Sequence, residues 1–284
     1  MTHLTPHEQR EFDRANASGL QPVVFVHGLY LLASSWDNWR TFFEERGYTT
    51  LAPGWPDDPK TVAEANENPD VFAHKRIKQV TDYYAQAPGQ LKRKPVVIGH
   101  SFGGLIAQQL ADEALSAVTV AIDPAGFRGV LPVPLSELKS GAPVLSNPLN
   151  YHRAVALTYE QFRYGFTNAL SEEEARQLYD RYAVPGSGTP VFQAAAANLN
   201  PWTEDQVNTS NPERGPLLLV AGEQDHTVPL AVVKAAYKLQ RHNSSLTTLR
   251  EMPGRGHSLT IDHGWREVAE VAFAFIKEQL SIGQ

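Results

Sequence analysis

Short apolar runs rich in β-branched residues alternate along the chain with longer segments whose apolar residues recur at helical spacing. Parallel strands need a crossover between them, usually a helix, and strands buried on both faces read as continuous apolar runs. The alternation therefore predicts an α/β fold, a doubly wound and mainly parallel sheet of about six strands with helices on both faces. The predicted strands are residues 22–26, 49–51, 95–98, 118–122, 217–221 and 246–251. The predicted covering helices are residues 36–45, 72–85, 230–239 and 265–280.

The spacing of the predicted strands is broken once, because about ninety residues separate the fourth strand from the fifth. A single crossover needs far fewer residues, so we expect an inserted helical cap above the strand ends. Connectors rich in Pro and Gly, such as Gly186-Ser187-Gly188, separate its helical segments. Tyr159, Phe162 and Phe166 recur there at helical spacing, and we expect them to pack the cap onto the body of the protein. The predicted cap helices are residues 153–166, 171–182 and 189–197.

These patterns divide the chain into a polar N-terminal segment (residues 1–20), a core domain (21–123 and 214–284) and the helical cap (124–213). In open α/β sheets, ligands bind beyond the carboxyl ends of the strands. The residues that directly follow each predicted strand are therefore the candidates for a functional site.

Composition excludes several classes of partner. The formal net charge is -6, with acids and bases interspersed, so no basic face is available for nucleic acid and no polybasic stretch for a membrane. No apolar run is long enough to span a membrane, and the first residues lack the pattern of a signal peptide, so we expect a cytoplasmic protein with a small-molecule partner. Because the chain has no cysteine, disulfides, thiolate catalysis and cysteine-ligated metals are excluded.

The sharpest chemical signal is Gly99-His100-Ser101-Phe102-Gly103, which follows a predicted strand and precedes a helical pattern. Glycines at both ends leave room for a strained strand-to-helix turn that projects the serine Oγ, and the helix N-terminus then points at the reacting centre. Ser101 is therefore the predicted nucleophile. The alternative is a tight turn in which the serine only caps a helix. Nucleotide binding is not indicated, since the chain has neither Gly-x-Gly-x-x-Gly nor a Gly-Lys-Ser/Thr ending.

A nucleophilic serine needs a base whose pKa lies near neutrality. Of the 10 histidines, His257 is the strongest candidate, because it lies in a glycine-rich loop between the last predicted strand and the last helix. His263 is close in sequence, but it lies in the turn that leads into that helix. We predict that His257 is the base.

An acid must fix the tautomer of that base. Asp225 follows the strand 217–221 and is the predicted acid. Asp123 also ends a strand and remains a rival, while Glu223 is a weaker third candidate. The alternative is that Asp123 has no catalytic role and only stabilises the turn before Pro124. With Asp225 as the acid, the order along the chain is Ser, Asp, His, the order found in α/β-hydrolases.

The loop His27-Gly28-Leu29-Tyr30 follows the first predicted strand and is the candidate oxyanion loop. The amides of Leu29 and Phe102 are the predicted donors to a developing oxyanion. We expect His27 to brace the loop, and His100 to be a buried core group. Gly28, Tyr30 and Trp55 are candidate substrate contacts, although Tyr30 and Trp55 could instead pack against the cap.

Together these motifs resemble the α/β-hydrolase superfamily, and specifically its capped serine esterase and lipase-like branch. The resemblance covers residues 22–123 and 215–280. It implies a Ser-His-Asp triad that works through an acyl-enzyme without a cofactor. Two features depart from the pattern of many family members: the antiparallel hairpin that often opens the fold is missing or reduced, and the oxyanion segment lacks the triple glycine of many lipases.

We therefore predict a serine hydrolase that cleaves a carboxylic ester or lactone of a small hydrophobic substrate through an acyl-enzyme on Ser101. Two alternatives use the same residues: an acyltransferase or a cofactor-free perhydrolase. A third, from another class, is a weakly catalytic ligand-binding or sensor protein. A serine nucleophile argues against epoxide hydrolases and haloalkane dehalogenases, which resemble this fold but use an aspartate. No metal is expected, because His-Glu-x-x-His is absent.

Overall fold

A computed structural model describes residues 4–282 of the chain. Its centre is a sheet of six strands in the order β2-β1-β3-β4-β7-β8, and every neighbouring pair in this sheet is parallel. The predicted α/β class and the strand positions are confirmed to within one or two residues. The strands of this sheet are β1 (Gln21–Val26), β2 (Tyr48–Leu51), β3 (Val96–His100), β4 (Val118–Ile122), β7 (Leu217–Gly222) and β8 (Thr247–Met252).

Helices cover both faces of the sheet because the side chains of each strand alternate between the faces. On β1, Val23 and Phe25 belong to a cluster with aromatic residues of α2 and apolar residues of α12, whereas Val24 and Val26 pack with residues of α4 and α6. The predicted helices on both faces are therefore confirmed. The helices of the core are α1 (Pro6–Ser18), α2 (Asp37–Glu44), α3 (Val62–Glu67), α4 (Ile77–Tyr84), α5 (Gln86–Gln90), α6 (Phe102–Asp112), α11 (Leu230–Gln240) and α12 (Trp265–Ile282).

The N-terminal segment contains a helix that the sequence patterns did not predict. Thr5 and Glu8 form a capping box at the start of α1, with Glu8 N–H donating to the Thr5 hydroxyl at 3.2 Å. Phe12 and Ala15 on one side of α1 are buried in the core. Tyr83 also donates a hydrogen bond to Glu8 at 2.7 Å, so the segment is a packed part of the fold although its composition is polar.

Residues 124–213, the predicted cap, contain four α-helices and a short antiparallel pair of strands within the described residues. These helices are α7 (Leu135–Leu145), α8 (Tyr159–Gly165), α9 (Glu172–Tyr182) and α10 (Gly188–Ala196). The prediction of a helix over residues 153–166 was wrong at its start, because β5 (Ala154–Val155) pairs antiparallel with β6 (Gly186–Ser187) and the helix begins only at Tyr159. Helix α7 was not predicted. Its interior Pro143 and Gly141 weaken the helical signal there.

Two 3-10 turns shift the starts of two other predicted helices. The predicted helix over 36–45 is a 3-10 turn (Ala33–Trp36) followed by α2, and the one over 72–85 is a 3-10 turn (Pro69–Phe72) followed, after a break, by α4. Within residues 4–282, no helix is both long enough and apolar enough to cross a membrane.

Candidate active site

Ser101 lies in the sharp turn between β3 and α6, with backbone angles φ 57° and ψ -124° that a non-glycine residue rarely adopts. A Cβ at Gly99 would lie 2.0 Å from the carbonyl oxygen of Gly103, and a Cβ at Gly103 would lie 2.1 Å from that of Val26. Neither contact is sterically possible, so both glycines are required where the helix crosses the strand ends. The turn presents the Ser101 side chain at the carboxyl edge of the sheet.

A chain of hydrogen bonds links Ser101 to two residues that are distant in the sequence. The Ser101 hydroxyl lies 3.0 Å from His257 Nε2, and His257 Nδ1 donates to Asp225 Oδ2 at 2.6 Å. All three side chains are buried. The other oxygen of the acid, Asp225 Oδ1, accepts the backbone N–H groups of Thr227 at 2.7 Å and Val228 at 2.8 Å, which fixes the carboxylate. The structure thus brings together the predicted nucleophile, base and acid.

The competing candidates have other partners. His263 is exposed and lies beside Glu174, with its Nδ1 2.8 Å from Glu174 Oε2. Glu223 accepts a hydrogen bond from Gly254 N–H at 2.8 Å. Neither residue contacts the Ser101–His257 pair, so the structure separates both from the candidate triad.

Asp123, the remaining rival acid, is fully buried behind Asp225 at the end of β4. Its Oδ1 accepts the N–H of Gly222 at 2.7 Å, while its Oδ2 has no hydrogen-bond partner in the described structure. Burial, and then the neighbouring Asp225 carboxyl, hold the pKa of Asp123 well above its usual range. The bond from His257 goes to Asp225, and the turn at Asp123, with φ 40°, is itself unusual for a non-glycine residue.

The base is neutral in this site. Burial lowers the pKa of His257 to about 3, below the ordinary value of 6.5, because an imidazolium would lose its hydration. A neutral imidazole whose Nδ1 donates to Asp225 has its Nε2 lone pair free to accept the Ser101 proton. The ring is held between His100, 4.8 Å away, and Phe166, 4.9 Å away between ring centroids.

The backbone N–H groups of Leu29 and Phe102 are available for an incoming oxyanion. Neither donates to a protein acceptor within residues 4–282, and both residues line the cavity in front of Ser101. A Cβ at Gly28 would lie 2.7 Å from the Ser101 Cβ, so glycine is needed for the loop to pass the nucleophile. Two unpaired N–H groups beside the nucleophile are compatible with the predicted oxyanion hole.

His27 holds the Leu29 loop from behind. Its Nδ1 donates to the carbonyl oxygen of Gly28 at 2.9 Å, and its Nε2 lies 3.2 Å from Asp58 Oδ2. Trp55 stacks on the His27 ring and donates from Nε1 to the His27 carbonyl oxygen at 3.0 Å. Lys75 lies behind this group, with its Nζ 3.7 Å from Asp58 Oδ1. The sequence patterns singled out neither Asp58 nor Lys75, because their role depends on contacts between separate loops.

Two of the candidate substrate contacts therefore differ from expectation. Trp55 packs behind the oxyanion loop and is not among the described residues that line the cavity, which corrects its predicted role. Gly28 lies against Ser101 itself rather than along the cavity wall. Tyr30 does line the cavity, and its ring meets that of Phe166 edge to face at 6.1 Å. His100 is buried, as expected, and its Nε2 donates to the His257 carbonyl oxygen at 2.8 Å.

A largely apolar cavity opens in front of Ser101, between the sheet edge and the inserted segment. Phe166 contributes to its wall, whereas Phe162 stacks on Phe166 in the core and Tyr159 lies at the surface against Glu172. Helix α7, which the sequence patterns missed, supplies a large part of the lining. The α7 residues that line the cavity are Glu137, Leu138, Ser140, Gly141, Val144 and Leu145.

His100, Asp123 and His257 form a group whose polar atoms lie within 4.8 Å of one another. Such a group resembles a metal site in its residue types. Both ring nitrogens of His257 already bond to protein atoms, which leaves His100 Nδ1 and Asp123 Oδ2 as the free ligand atoms. Protein metal sites use three or four protein ligands, so we assign no metal to this group.

A profile of the Alpha/beta hydrolase family matches residues 23–271. The chain therefore belongs to the α/β-hydrolase family, and the resemblance seen in the sequence motifs is confirmed. The predicted class of enzyme is confirmed at the same level.

Individual relatives are more distant. The chain is 28% identical over 266 residues to a protein of Burkholderia pyrrocinia named Non-heme chloroperoxidase, covering 84% of this chain and 86% of that protein. The structure of this chain is similar to that of a monoacylglycerol lipase of Paleococcus ferrophilus, with a TM-score of 0.62, 19% identity and coverage of 92% of this chain and 94% of the lipase. It is also similar to a pyrethroid hydrolase of Sphingobium faniae JZ-2, with a TM-score of 0.61, 17% identity and coverage of 90% and 96%. At these identities, the structural likeness supports the fold alone.

Proposed function

We propose that the protein hydrolyses a carboxylic ester or lactone of a small hydrophobic molecule through an acyl-enzyme on Ser101. The observation that carries the proposal is the hydrogen-bonded chain from Ser101 Oγ through His257 to Asp225. Ser101, at one end of this chain, lines an apolar cavity beside two unpaired backbone amides. Esterase and lipase activity named for proteins of similar structure agrees with this chemistry.

The reaction follows from the positions of these groups. Ser101 Oγ attacks the carbonyl carbon while His257 Nε2 takes its proton, and the amides of Leu29 and Phe102 stabilise the oxyanion. His257 then returns the proton to the departing alcohol oxygen as the ester C–O bond breaks. Water, deprotonated by the same imidazole, attacks the acyl-enzyme and releases the acid and free Ser101. Asp225 keeps the imidazole in the required tautomer throughout.

A second candidate is perhydrolysis, in which hydrogen peroxide replaces water as the attacking group and the acyl-enzyme yields a peracid. The curated relative named Non-heme chloroperoxidase favours this candidate. An alcohol acceptor would make the protein an acyltransferase by the same route. All three reactions act on a small molecule, the partner predicted from the sequence. The cytoplasmic location stays a prediction from the sequence.

The proposal is tested without knowledge of the substrate by intact-mass analysis after treatment with a fluorophosphonate probe. We expect one label per chain in the wild type, and none in Ser101→Ala. His257→Ala should label slowly, because the serine has lost its base. Ser146→Ala, which changes an exposed serine of the inserted segment, should label like the wild type.

A panel of esters, with methanol or hydrogen peroxide added, then identifies the acyl acceptor from the ratio of acid, methyl ester and peracid. Labelling that persists in Ser101→Ala would mean that another residue is the nucleophile. A folded wild type that neither labels nor turns over any ester would favour the ligand-binding alternative.

A further inference from the structure

Glu137 on α7 is a carboxyl group that the proposed reaction does not use. Its Oε2 is buried without a hydrogen-bond partner, and the side chain makes no ion pair within residues 4–282. Groups of this kind are uncommon, because leaving a buried carboxyl oxygen unpaired costs free energy. An unpaired carboxyl that lines a cavity is therefore a candidate contact for a ligand.

The polar side chains near Glu137 on α7 interact with other residues. Ser140 lies one turn further along α7, but its hydroxyl is paired with that of Thr227 at 2.8 Å. Lys139 is the adjacent cation, and its Nζ lies over the ring of Tyr164 at 4.0 Å from the centroid. Helix α7 therefore presents a carboxyl to the cavity while the cation beside it is held elsewhere.

Glu137 lines the same cavity as Ser101, and no other charged side chain is among the described residues of its wall. The cavity also lies close to the triad acid: burial, and next the charge of Asp225, raise the pKa of Glu137 to about 7. With no cation in the described part of its wall, the cavity acquires a negative field from the charge of Asp225 and from Glu137 in its ionised form. Such a field attracts a cationic group and repels an anionic one.

The rest of the wall suits a cation as well. Aromatic rings of Tyr30, Phe102, Phe127 and Phe166 line the cavity, and aromatic faces attract ammonium groups through their quadrupoles. A carboxylate combined with aromatic rings is a common way to bind an amine, because the carboxylate supplies charge and the rings replace the hydration shell.

We propose that Glu137 is a specificity-determining residue that binds a protonated amine on the substrate, so that the preferred substrates are esters carrying a basic nitrogen. The inference rests on the proposed esterase function. The amine is bound and not transformed, while the ester carbonyl faces Ser101.

The test compares matched p-nitrophenyl esters that end in a methyl, a hydroxyl or an ammonium group, across several acyl chain lengths, together with acetate esters of alkyl and aminoalkyl alcohols. The readout is the ratio of kcat/KM for the ammonium ester to that for the methyl ester, which cancels effects on the shared chemistry. In the wild type, we expect a ratio of about 10 or more at the best chain length.

Three variants make the comparison specific. Glu137→Gln and Glu137→Leu should each lower the ratio by about tenfold or more, since neither carries a charge. The methyl ester is the internal reference in each variant, so any change in kcat/KM that both esters share cancels in the ratio. Glu173→Gln removes an exposed acid of α9 outside the cavity and should leave the ratio unchanged.

A wild type that hydrolyses methyl and ammonium esters alike would overturn the inference while leaving the esterase function intact. A ratio that survives in Glu137→Leu, or a preference for the hydroxyl ester over the ammonium ester, would overturn it too. If no ester is hydrolysed by the wild type, the proposed function fails and the inference fails with it.

Discussion

At the scale of single residues, the neighbouring carboxyls of Asp123 and Asp225 accept different numbers of hydrogen bonds. Asp225 accepts three donors, from Thr227, Val228 and His257, whereas Asp123 accepts one, from Gly222. Burial raises the pKa of both carboxyls, but hydrogen bonds to a carboxylate favour its charged form, so we expect Asp225 to carry the negative charge and Asp123 to hold the proton. The neighbouring Asp262 also raises the pKa of Asp123.

This assignment predicts opposite results for two matched variants. Asp225→Asn should lower kcat by about 10³-fold to 10⁴-fold, because the amide can no longer hold His257 in the required tautomer. Asp123→Asn should keep kcat/KM within about threefold, because an amide keeps the acceptor for Gly222 N–H and, like a protonated carboxyl, carries no charge.

The measurement is kcat/KM against pH, whose acidic limb reports the protonation of His257. In wild type, the activity should stay level as the pH falls through 6.5, the ordinary value for histidine, because burial lowers the pKa of His257. Asp123→Asn should leave that limb in place. A limb displaced to lower pH in Asp123→Asn would show that Asp123 carries a charge in the wild type, contrary to the assignment.

At the scale of secondary-structure elements, the crossing of β3 and α6 sets the position of the nucleophile. The two elements approach so closely that the space a Cβ would need at Gly99 is occupied by the backbone of Gly103. Backbone atoms cannot move aside as a flexible side chain can, so a larger residue must push the helix away from the strand.

We therefore expect Gly99→Ala to lower the free energy of unfolding by about 3 kcal/mol and to abolish fluorophosphonate labelling. Gly89→Ala is the matched control, since nothing lies within 4 Å of a Cβ at Gly89 on α5. That substitution should be neutral or slightly stabilising, because alanine favours a helix more than glycine does. Urea unfolding of both variants measures the difference, and equal stabilities would contradict the role given to the crossing.

At the scale of the whole molecule, stability depends on pH through buried acids outside the active site. Asp205 is fully buried, and neither of its carboxyl oxygens has a hydrogen-bond partner in the described structure. Burial raises its pKa from 3.8 to about 8. A group whose pKa is raised on folding favours the folded state below its unfolded value and loses that contribution as the pH rises.

Asp205→Asn should consequently raise the free energy of unfolding at pH 8 by something on the order of 3 kcal/mol, and should change it little at pH 4. Glu278→Gln, which neutralises an exposed acid of α12, is the control and should show no such dependence. Thermal or urea unfolding at the two pH values provides the measurement. A gain of equal size at both would rule out ionisation of Asp205 as its cause.

Much of this protein could be predicted from the sequence, because the relevant signals are local. Apolar runs and helical spacing located the six strands of the sheet, and glycines around Ser101 predicted a strand-to-helix turn. Loops after the strands supplied His257 and Asp225, since all parallel strands end at the same edge of the sheet. Helix α7 and the β5–β6 strand pair were missed, because Pro and Gly obscure the helical pattern of α7 and two-residue strands are too short to leave a pattern.

The tertiary structure alone decided which groups meet. The sequence left both Asp225 and Asp123 as possible acids, and the distinction depends on which carboxyl His257 reaches across 32 residues of chain. The sequence offered Trp55 as a substrate contact, whereas its ring stacks on His27 in the structure. No sequence pattern indicated Glu137, which α7 places on the cavity wall. Composition and spacing record which residues are neighbours along the chain, whereas pKa values, unpaired polar atoms and cavity walls arise from contacts between segments that folding brings together.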